Sequence, residues 1–342
     1  MKVAVLGATG LVGSEMLKVL GERGFSADEM VPLASPRSSG KAVQFSGREV
    51  AVQAVCEDAF EGVDIALFSA GADASRKWAP VAASRGAVVI DNSSAWRLDP
   101  KVPLVVPEVN PDDAKLNRGI IANPNCATIQ AVTALKPLHD AAWLESVSVV
   151  TFQSVSGTGR KGLDALTEGA EAVLQGTVPD AGPYSRPIAF DVLPEIGEIG
   201  PDGISGEERK MILESRKILH HPELVVNCTA VRVPVFRGHA EAVTAVFREP
   251  LDPSGACRFL EGAPGVSCCR DLEHKRYATC REAAGTDDVY VGRVRREGHK
   301  SKELSFWVVA DHLRKGAALN AVQIAEILEP GLRGMKQASS LG

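Results

Sequence analysis

The feature that most constrains the fold is the glycine-rich segment Gly7-Ala-Thr-Gly-Leu-Val-Gly13. It follows the apolar run from Val3 to Leu6 and opens a helical pattern that begins at Val12. Glycines in a strand-to-helix turn let backbone amides approach a pyrophosphate, and the helix N-terminus adds partial positive charge. The spacing is looser than Gly-x-Gly-x-x-Gly. It is therefore the position between strand and helix that predicts a nucleotide-binding parallel sheet.

The periodicity of the apolar residues changes along the chain. In the first third, short apolar runs alternate with helical patterns, which predicts a parallel, doubly wound sheet. Later segments alternate strictly and predict a mainly antiparallel sheet with helices on one face. We therefore expect an α/β protein with a Rossmann-like dinucleotide-binding domain at 1–124, completed by a C-terminal helix at 317–330, and an α+β domain at 125–316. Residues 176–206 are predicted to form a long excursion and 337–342 a frayed tail.

The composition is that of an ordinary globular protein, with 45% hydrophobic and 24% charged residues. A net charge of −5 with interspersed signs provides no basic stripe for nucleic acid and no polybasic surface for a membrane. No apolar run approaches the roughly 20 residues of a membrane span. We expect a cytoplasmic protein that binds neither nucleic acid nor membranes.

Seven cysteines are scattered without a Cys-x-x-Cys pair, which disfavours a disulfide framework or a zinc site. One group of residues has the chemistry of metal ligands and consists of Cys257, Cys268, Cys269, His274 and Cys280. Its spacing is not that of metal ligands, and neighbours such as Cys268 and Cys269 would point to opposite faces of a strand. We therefore expect no metal site.

The loop after the second predicted strand, Val31 to Ala34, bears on the choice of cofactor. Enzymes that use NAD usually offer an acid here to the ribose hydroxyl, but Asp28 and Glu29 precede the strand. The loop instead carries Arg37 among hydroxyls such as that of Ser38, which suits a 2′-phosphate. NADP(H) is therefore the expected cofactor, and the alternative is a solvated basic loop.

A single cysteine, Cys126, stands at the junction Asn123-Pro-Asn-Cys126, where an apolar run meets a helical pattern. Asn125 can cap that helix, so the thiol would lie in its first turn. The positive end of the helix dipole favours the thiolate there, which makes Cys126 a candidate nucleophile. The alternative is that Cys126 is a small buried hydrophobic residue.

A charged residue interrupts the apolar face of a later predicted strand at Arg232. A buried arginine needs an anionic partner, and a carboxylate ligand would serve. Pro234 and Gly238 would turn the chain so that His239, suited to acid–base chemistry near neutral pH, comes back beside Arg232. The alternative is an internal salt bridge beside a satisfied core histidine.

Two further polar groups fit a substrate site. Gln153 lies on a predicted strand that ends in a glycine turn, where it could hydrogen-bond a substrate. Ser205 and Glu208 form a capping box at the start of a helix, while Glu207 and Lys210, three residues apart, share a helix face. The alternative for this last pair is a surface ion pair.

The sequence resembles the aspartate-semialdehyde dehydrogenase family over nearly its whole length. The segments that carry the resemblance are Gly7-Ala-Thr-Gly-Leu-Val-Gly13, Asp91-Asn-Ser-Ser-Ala-Trp-Arg97, Val105-Val-Pro-Glu-Val-Asn-Pro111, Asn123-Pro-Asn-Cys126, Gln153-Ser-Val-Ser-Gly157, Val231-Arg-Val-Pro-Val235 with Gly238-His239, and Asp311-His-Leu-Arg-Lys-Gly-Ala-Ala-Leu-Asn320. The family reduces L-aspartyl 4-phosphate with NADPH, reversibly, to L-aspartate 4-semialdehyde and phosphate. This reaction serves the biosynthesis of lysine, threonine, methionine and diaminopimelate.

The resemblance implies roles for the matching residues. Cys126 would form a thioester that is then reduced, His239 would be the general acid/base, and Gln153 would orient the acyl group. The implied substrate-binding residues are Arg232 for the α-carboxylate, Glu207 for the amino group, Arg97 and Lys210 for the phosphate, and Asn125. The implied cofactor-binding residues are Gly7, Thr9, Gly10, Leu11, Val12, Arg37, Ser38, Ser156, Gly157 and Asn320.

The family also implies an assembly, because its second domain is both catalytic and the site of dimerisation. A homodimer or a dimer of dimers is therefore expected, with the small-molecule substrates as the other partners. Two residues depart from the family pattern. His312 stands where Asn is common, and Trp96 where Phe is common.

Other functional interpretations of the sequence remain open at this point. One is another acyl-phosphate or CoA-thioester reductase on the same scaffold, such as an N-acetyl-glutamyl-phosphate reductase or a malonyl-CoA reductase. The cysteine junction and the positions of Arg97, Glu207 and Lys210 disfavour the first of these two enzymes. The other reading is a non-catalytic relative, which would be expected to lose Cys126 or His239.

Overall fold

The structure, a computed structural model, describes residues 1–269, 277–296 and 302–340. The strands are β1 (Lys2–Leu6), β2 (Glu29–Ala34), β3 (Ala42–Phe45), β4 (Arg48–Ala51), β5 (Gln53–Ala54), β6 (Ile65–Phe68), β7 (Val88–Asp91), β8 (Ile120–Ala122), β9 (Leu144–Ser154), β10 (Val225–Val233), β11 (His239–Phe247), β12 (Val266–Cys269), β13 (Val289–Arg295) and β14 (Glu303–Ala310). The helices are α1 (Leu11–Glu22), α2 (Ala72–Ser84), α3 (Cys126–Ala142), α4 (Arg160–Leu174), α5 (Gly206–Ile218), α6 (Pro253–Glu261), α7 (Cys280–Ala283) and α8 (Leu319–Ser340).

The chain divides into two units, one made of Met1–Asn125 with Ala317–Gly342 and the other of Cys126–Gly316. The first unit is built on a parallel sheet in the order β5-β2-β1-β6-β7-β8, with β3 and β4 as a separate hairpin. Successive residues of β1 alternate between its two faces, as a strand requires. Val3 and Val5 pack with α1 and α8 on one face, while Ala4 and Leu6 pack with α2 on the other. The predicted Rossmann-like α/β sheet is confirmed.

The second unit is built on a mixed sheet in the order β10-β9-β11-β14-β13-β12. The pairs β10/β9 and β12/β13 are parallel, and the other pairs are antiparallel. Helix α3 packs on β9, β11, β13 and β14, α5 packs on β10, and α6 packs on β12 and β13. The predicted mainly antiparallel sheet with helices is therefore confirmed.

Two local predictions are wrong. One of the short apolar runs in the first third of the chain, 102–106, is not a strand, since Pro103 lacks an amide hydrogen and only Leu104 bridges to Ala122. Helix α8 continues through Ser340, so the predicted frayed tail is wrong for 337–340, where no Gly or Pro interrupts the backbone.

The residues considered as a metal cluster lie on different elements of the second unit, and Cys257 belongs to α6. Cys268 and Cys269 lie on β12 and Cys280 begins α7, while His274 lies outside the described residues. Among the residues that the structure describes, no group of His, Cys, Asp or Glu has the arrangement of a metal site. Within the same ranges, no helix has the length and apolar character that crossing a bilayer requires.

Candidate active site

The glycine turn after β1 has no room for side chains. Gly7 has φ +87°, and a Cβ atom there would lie 2.3 Å from the carbonyl oxygen of Ser69. A Cβ atom on Gly13 would lie 2.1 Å from the carbonyl oxygen of Gly7. Gly10 is the N-cap of α1, and no side chain caps that helix. The first-turn amides of α1 are therefore available to a phosphate group of a ligand.

A cavity of about 530 Å³ opens beside this turn, at the carboxyl ends of β1, β2 and β6. Of the predicted cofactor residues, the cavity is lined by Gly7, Thr9, Gly10 and Ser38. Arg37 is exposed in the turn Pro36–Ser38 that borders the cavity. This position at the ends of parallel strands is where doubly wound sheets bind dinucleotides.

Sequence reasoning missed two residues that line the same cavity, Lys77 and Trp78 of α2. The Lys77 ammonium nitrogen lies 4.6 Å from the centroid of the Trp78 ring. No motif marks either residue. Their only signal is that α2 follows β6, the strand next to β1, so that its first turns reach the same edge of the sheet.

Other predicted residues of the first unit are held by structural hydrogen bonds. The buried Arg97 donates from Nε to the carbonyl oxygen of Asn123 (2.9 Å) and from Nη2 to that of Asn92 (2.9 Å). Asn320 donates to the carbonyl oxygen of Val105 (2.9 Å) and to Asn123 Oδ1 (2.7 Å). The remaining predicted residues of this unit are Leu11 and Val12, half-buried at the start of α1, and Asn125, which is buried. Their functional roles stay predictions.

In the second unit, three predicted residues form one row across the sheet. Arg232 of β10 pairs in register with Gln153 of β9, and Gln153 pairs with His239 of β11. The expectation that His239 turns back directly beside Arg232 is therefore wrong in one respect. The chain between β10 and β11 crosses β9, so Gln153 lies between the two residues. The fold nevertheless brings all three together.

Gln153 is held in one orientation by its neighbours. Its carboxamide nitrogen donates to Glu207 Oε1 (3.0 Å), and its oxygen accepts from the Thr151 hydroxyl (3.0 Å). Lys210 donates to the other oxygen of Glu207 (2.9 Å). The capping box predicted at Ser205 is present, and it starts the helix that positions Glu207. Because Glu207 is buried, this is not the surface ion pair considered above.

Arg232 is buried, and no acidic side chain among the described residues pairs with it. Its Nη1 donates to the carbonyl oxygen of Ser154 (2.7 Å), and its backbone exchanges two hydrogen bonds with Leu193 of the predicted excursion. A Cβ atom on Gly157 would lie 2.9 Å from Arg232 Nη1 and 3.6 Å from His239 Nε2. The glycine therefore lets the guanidinium of Arg232 lie directly against the backbone at residue 157. An anionic ligand that reached Arg232 would neutralise the buried guanidinium.

His239 is fully buried, and its Nδ1 accepts a hydrogen bond from the backbone amide of Ser154 (3.1 Å). Its Nε2 has no hydrogen-bond partner within the described protein. The ring stacks on His312, with ring centroids 3.9 Å apart and planes 7° apart. Burial lowers the pKa of His239 well below its ordinary value, with His312 and Arg232 adding to the effect. Burial likewise lowers the pKa of His312 to about 3.

Cys126 is the first residue of α3 and is half-buried. A Cβ atom on Gly316 would lie 2.9 Å from the Cβ atom of Cys126, so the segment after His312 runs against the nucleophile candidate. Burial raises the pKa of Cys280 to about 11 and that of Cys228 well above its ordinary value. Those two thiols are therefore poor nucleophiles, because the thiolate is the reactive form.

A fully buried carboxyl group, that of Glu241, lies two residues from His239 on the same face of β11. Neither of its oxygens makes a hydrogen bond of ordinary geometry, although Gln130 of α3 faces it. Burial raises the pKa of Glu241 well above its ordinary value. No local sequence signal distinguishes Glu241 from other acidic residues.

Replacing this carboxyl group by Glu241→Gln should make the folded state less sensitive to pH. Between the ordinary pKa and the raised pKa, the folded state keeps the proton that the unfolded state releases, so stability falls as pH rises through that window. We expect the variant to match the parent near the acid end of the window and to gain in Tm as pH rises. Thermal denaturation across this range, with exposed Glu223→Gln as control, measures the difference. Parallel curves for parent and Glu241→Gln would contradict the prediction.

Two protein-family models of semialdehyde dehydrogenases match this chain. Residues 2–117 match the family described as semialdehyde dehydrogenase, NAD binding domain, and residues 135–315 match the semialdehyde dehydrogenase dimerisation domain. The aspartate-semialdehyde dehydrogenase of Aquifex aeolicus is 50% identical over 96% of this chain and 97% of its own length.

Solved structures agree with the sequence relatives. The crystal structure of aspartate semialdehyde dehydrogenase II from Vibrio cholerae has a TM-score of 0.94 and 49% identity, covering 96% of this chain and 98% of that one. The same enzyme complexed with ASA has a TM-score of 0.93 and 48% identity, with the same coverage.

Proposed function

Because the chain belongs to the aspartate-semialdehyde dehydrogenase family, we propose that it reduces L-aspartyl 4-phosphate with NADPH to L-aspartate 4-semialdehyde and phosphate, and catalyses the reverse reaction. The observation that carries the proposal is the row of Arg232, Gln153 and His239 across three strands. Within the described part of the chain, the Arg232 guanidinium is buried without an acidic partner, and Nε2 of His239 has no hydrogen-bond acceptor. The carboxylate of a substrate would pair with the Arg232 guanidinium, and its acyl oxygen would lie against Nε2 of His239.

The acyl group is transferred through Cys126. Its thiolate attacks the acyl carbonyl carbon, a C–S bond forms, and the C–O bond to phosphate breaks. After the resulting thioester is reduced, the thiolate leaves and the aldehyde is released. Splitting the conversion in this way replaces one difficult step by two easier ones. The position of Cys126 at the N-terminus of α3 favours the thiolate that both steps require.

The remaining residues orient the substrate. Arg232 binds the α-carboxylate, and Glu207 the α-amino group, whose charge complements the buried carboxylate. Lys210, already paired with Glu207, and Arg97 are the proposed cations for the phosphate dianion. Gln153, fixed between Thr151 and Glu207, orients the acyl group.

A nicotinamide dinucleotide would fit the cavity of about 530 Å³ beside the glycine turn, since Gly7 and Gly10 line the cavity and no side chain caps the N-terminus of α1 that follows them. When bound, the nicotinamide supplies the hydride for reduction. We propose NADP(H), with Ser38 and Arg37 near the 2′-phosphate, Thr9 to Val12 at the pyrophosphate, and Ser156, Gly157 and Asn320 as further contacts. The support is the absence of an acidic side chain in the loop after β2, 35–41.

The direct test follows NADPH formation from L-aspartate 4-semialdehyde and NADP⁺ by the purified protein, with and without phosphate. We expect turnover that depends on phosphate, because phosphate must release the acyl group from Cys126. Coenzyme A in place of phosphate serves as the comparison. Sustained turnover with coenzyme A and none with phosphate would reject the proposal in favour of a CoA-thioester reductase.

The cofactor preference should depend on Arg37. In Arg37→Ser, the KM for NADP⁺ is expected to rise roughly 10- to 100-fold, because a charge-assisted hydrogen bond contributes about 1.5–3 kcal/mol. The KM for NAD⁺, which lacks the 2′-phosphate, should stay within about twofold. Initial rates with both dinucleotides measure how the two KM values change. The control is Arg48→Ser, at an exposed residue of β4. Equal changes for both cofactors would contradict the assignment of Arg37.

Self-association is proposed to use the sheet face of the second unit that carries Val150, Phe152, Val225 and Trp307. Val150 is 37% exposed and Val225 52% exposed, and the rings of Phe152 and Trp307 lie 5.6 Å apart on the same face. This partly exposed apolar surface lies within the region that matches a dimerisation domain. A second copy of the chain is the proposed occupant, giving a homodimer or a dimer of dimers.

A charge on this face should separate the copies. We expect Val150→Asp to shift the protein from a dimer or tetramer to the monomer mass of 36.2 kDa in light scattering, since an unpaired carboxylate in an apolar interface costs several kcal/mol. Val178→Asp, at a 92% exposed residue of the excursion, is the control and should leave the mass unchanged. A parent protein that is already monomeric, or a Val150→Asp variant that remains associated, would contradict the proposed interface.

A further inference from the structure

A second row of side chains lies beside the row of Arg232, Gln153 and His239 on the same face of the sheet. Because side chains alternate along a strand, residues two positions apart share a face. Thr151 of β9 pairs in register with Glu241 of β11, just as Gln153 pairs with His239. The Thr151 hydroxyl donates to the Gln153 oxygen (3.0 Å). The second row therefore adjoins the residues proposed to act on the substrate, and Glu241 is the neighbour of His239 in it.

Helix α3 packs on this part of the sheet and runs in the same direction as β11. Trp143, with φ +55°, is the only residue between the end of α3 at Ala142 and the start of β9. Because α3 also packs on β9, the chain reverses direction at that residue. Strand β9 is in turn antiparallel to β11. Cys126, the first residue of α3, therefore lies toward the His239 end of β11.

Gln130 of α3 faces Glu241 and lies one turn after Cys126. Residues four apart share a helix face and are separated by about 6 Å along the axis. On β11, His239 and Glu241 are two residues apart, which is about 7 Å along the strand. Since the two spacings are nearly equal, the contact between Gln130 and Glu241 sets Cys126 level with His239.

The Glu241 carboxyl group and the Gln130 carboxamide have complementary chemistry. Both side chains are fully buried, and within the described residues none of their four polar atoms makes a hydrogen bond of ordinary geometry. The O–H of a protonated carboxyl group can donate to an amide oxygen while the amide N–H donates to the carboxyl oxygen. Burial, which raises the pKa of Glu241 well above its ordinary value, favours that protonated form. Because unpaired buried polar groups are costly, the two side chains gain most by pairing with each other.

We propose that Glu241 is a positioning residue whose carboxyl group pairs with the Gln130 carboxamide, anchors the first turns of α3 on β11 and so holds the Cys126 thiol level with His239. The inference rests on the proposed function, in which Cys126 forms the thioester, and it leaves the proposed role of His239 unchanged. The thiol must meet the acyl carbon at close range, and a misplacement of about 1 Å can cost about 10²-fold in rate. Glu241 acts on the reaction through α3, without contact with the substrate.

The first test compares substitutions that keep the pair with substitutions that break it. In Glu241→Gln, two carboxamides can form the same pair of hydrogen bonds, so kcat should stay within about threefold of the parent. Glu241→Met and Gln130→Met each remove one polar partner and should lower kcat roughly tenfold. The KM for NADP⁺ should change less than about twofold, because the cavity proposed for the cofactor belongs to the first unit.

A double-mutant cycle shows whether the two residues act as a pair. If they do, the double variant Glu241→Met with Gln130→Met should lose about as much kcat as either single variant, roughly tenfold. If each residue acted independently, the two losses would multiply to roughly 10²-fold. That larger loss would overturn the proposed pairing.

The second test needs no substrate, so it stands even if the proposed reaction fails. Hydrogen exchange in the intact protein, followed by mass spectrometry of a peptide that spans 126–136, reports the opening of the first turns of α3. We expect faster exchange in Glu241→Met than in the parent, and exchange at the parental rate in Glu241→Gln.

The matched control is Val243→Ala, at the next buried residue on the same face of β11. It removes apolar packing and should lower Tm, but it should leave kcat within about twofold of the parent. Parental kcat and parental exchange in Glu241→Met would overturn the proposal, as would an equal loss of kcat in Val243→Ala. An inactive parent enzyme would instead reject the proposed function and leave the exchange result intact.

Discussion

Cys126→Ala is expected to lower kcat/KM with L-aspartate 4-semialdehyde and phosphate by at least about 10³-fold, because no other group can form the covalent intermediate. Two other half-buried thiols, those of Cys228 and Cys280, do not substitute for it, since burial raises the pKa of both. Steady-state NADPH formation measures the loss. The exposed Cys56 supplies the control, and Cys56→Ala should retain full activity.

A burst experiment makes this prediction sharper. Without phosphate, the parent enzyme should oxidise about one equivalent of aldehyde per active site and then stop, with the acyl group attached to the peptide that contains Cys126. Mass spectrometry locates the adduct, and Cys126→Ala should show neither burst nor adduct. An adduct on another cysteine, or steady turnover by Cys126→Ala, would remove Cys126 from the mechanism.

Arg232→Lys is expected to lower kcat/KM by roughly 10²- to 10³-fold, which corresponds to about 3–4 kcal/mol. Lysine keeps the charge but cannot supply both the hydrogen bond to the carbonyl oxygen of Ser154 and a forked contact to a carboxylate. A comparison of substrates isolates the carboxylate contact. With 3-aminopropanal, which lacks the α-carboxylate, parent and variant should differ by less than about threefold.

The control for Arg232 is Arg216→Lys on α5, a half-buried arginine that also donates to a backbone carbonyl oxygen. It should leave kcat/KM unchanged for both substrates. If Arg232→Lys lost activity equally with 3-aminopropanal, Arg232 would be maintaining the fold of the site rather than binding the carboxylate.

The sequence predicts the two sheets well because each has a periodicity of its own. Buried parallel strands such as β1 and β6 are short continuous apolar runs, while β11 and β14 alternate strictly, and these patterns follow directly from burial on two faces or one. The periodicity of apolar residues does not specify the order of the strands in a sheet. The insertion of β9 between β10 and β11 depends on how the chain crosses over after Val233, so the row Arg232, Gln153 and His239 is visible only in the fold.

The residues of the candidate site also differ in how far local sequence signals predict them. Cys126, Gly7 and the Glu207/Lys210 pair are predictable because each is tied to a local signal, a helix start or a turn. Lys77, Trp78 and Glu241 carry no such signal, since their significance comes from distant segments packing beside them. His312 departs from the family pattern, but its stack on His239 depends on how the segment after β14 packs against the start of β11.

The discontinuous first unit has a consequence for biosynthesis of the chain. Side chains of α8, including Leu319, Val322 and Ile324, complete the apolar cluster on one face of the parallel sheet. During translation, β1 to β8 and α1 emerge long before α8, so the part of this sheet face that α8 covers stays exposed while the second unit is made. The second unit is contiguous and has all its strands by residue 310. A nascent chain therefore exposes an apolar surface that a chaperone can bind until α8 leaves the ribosome.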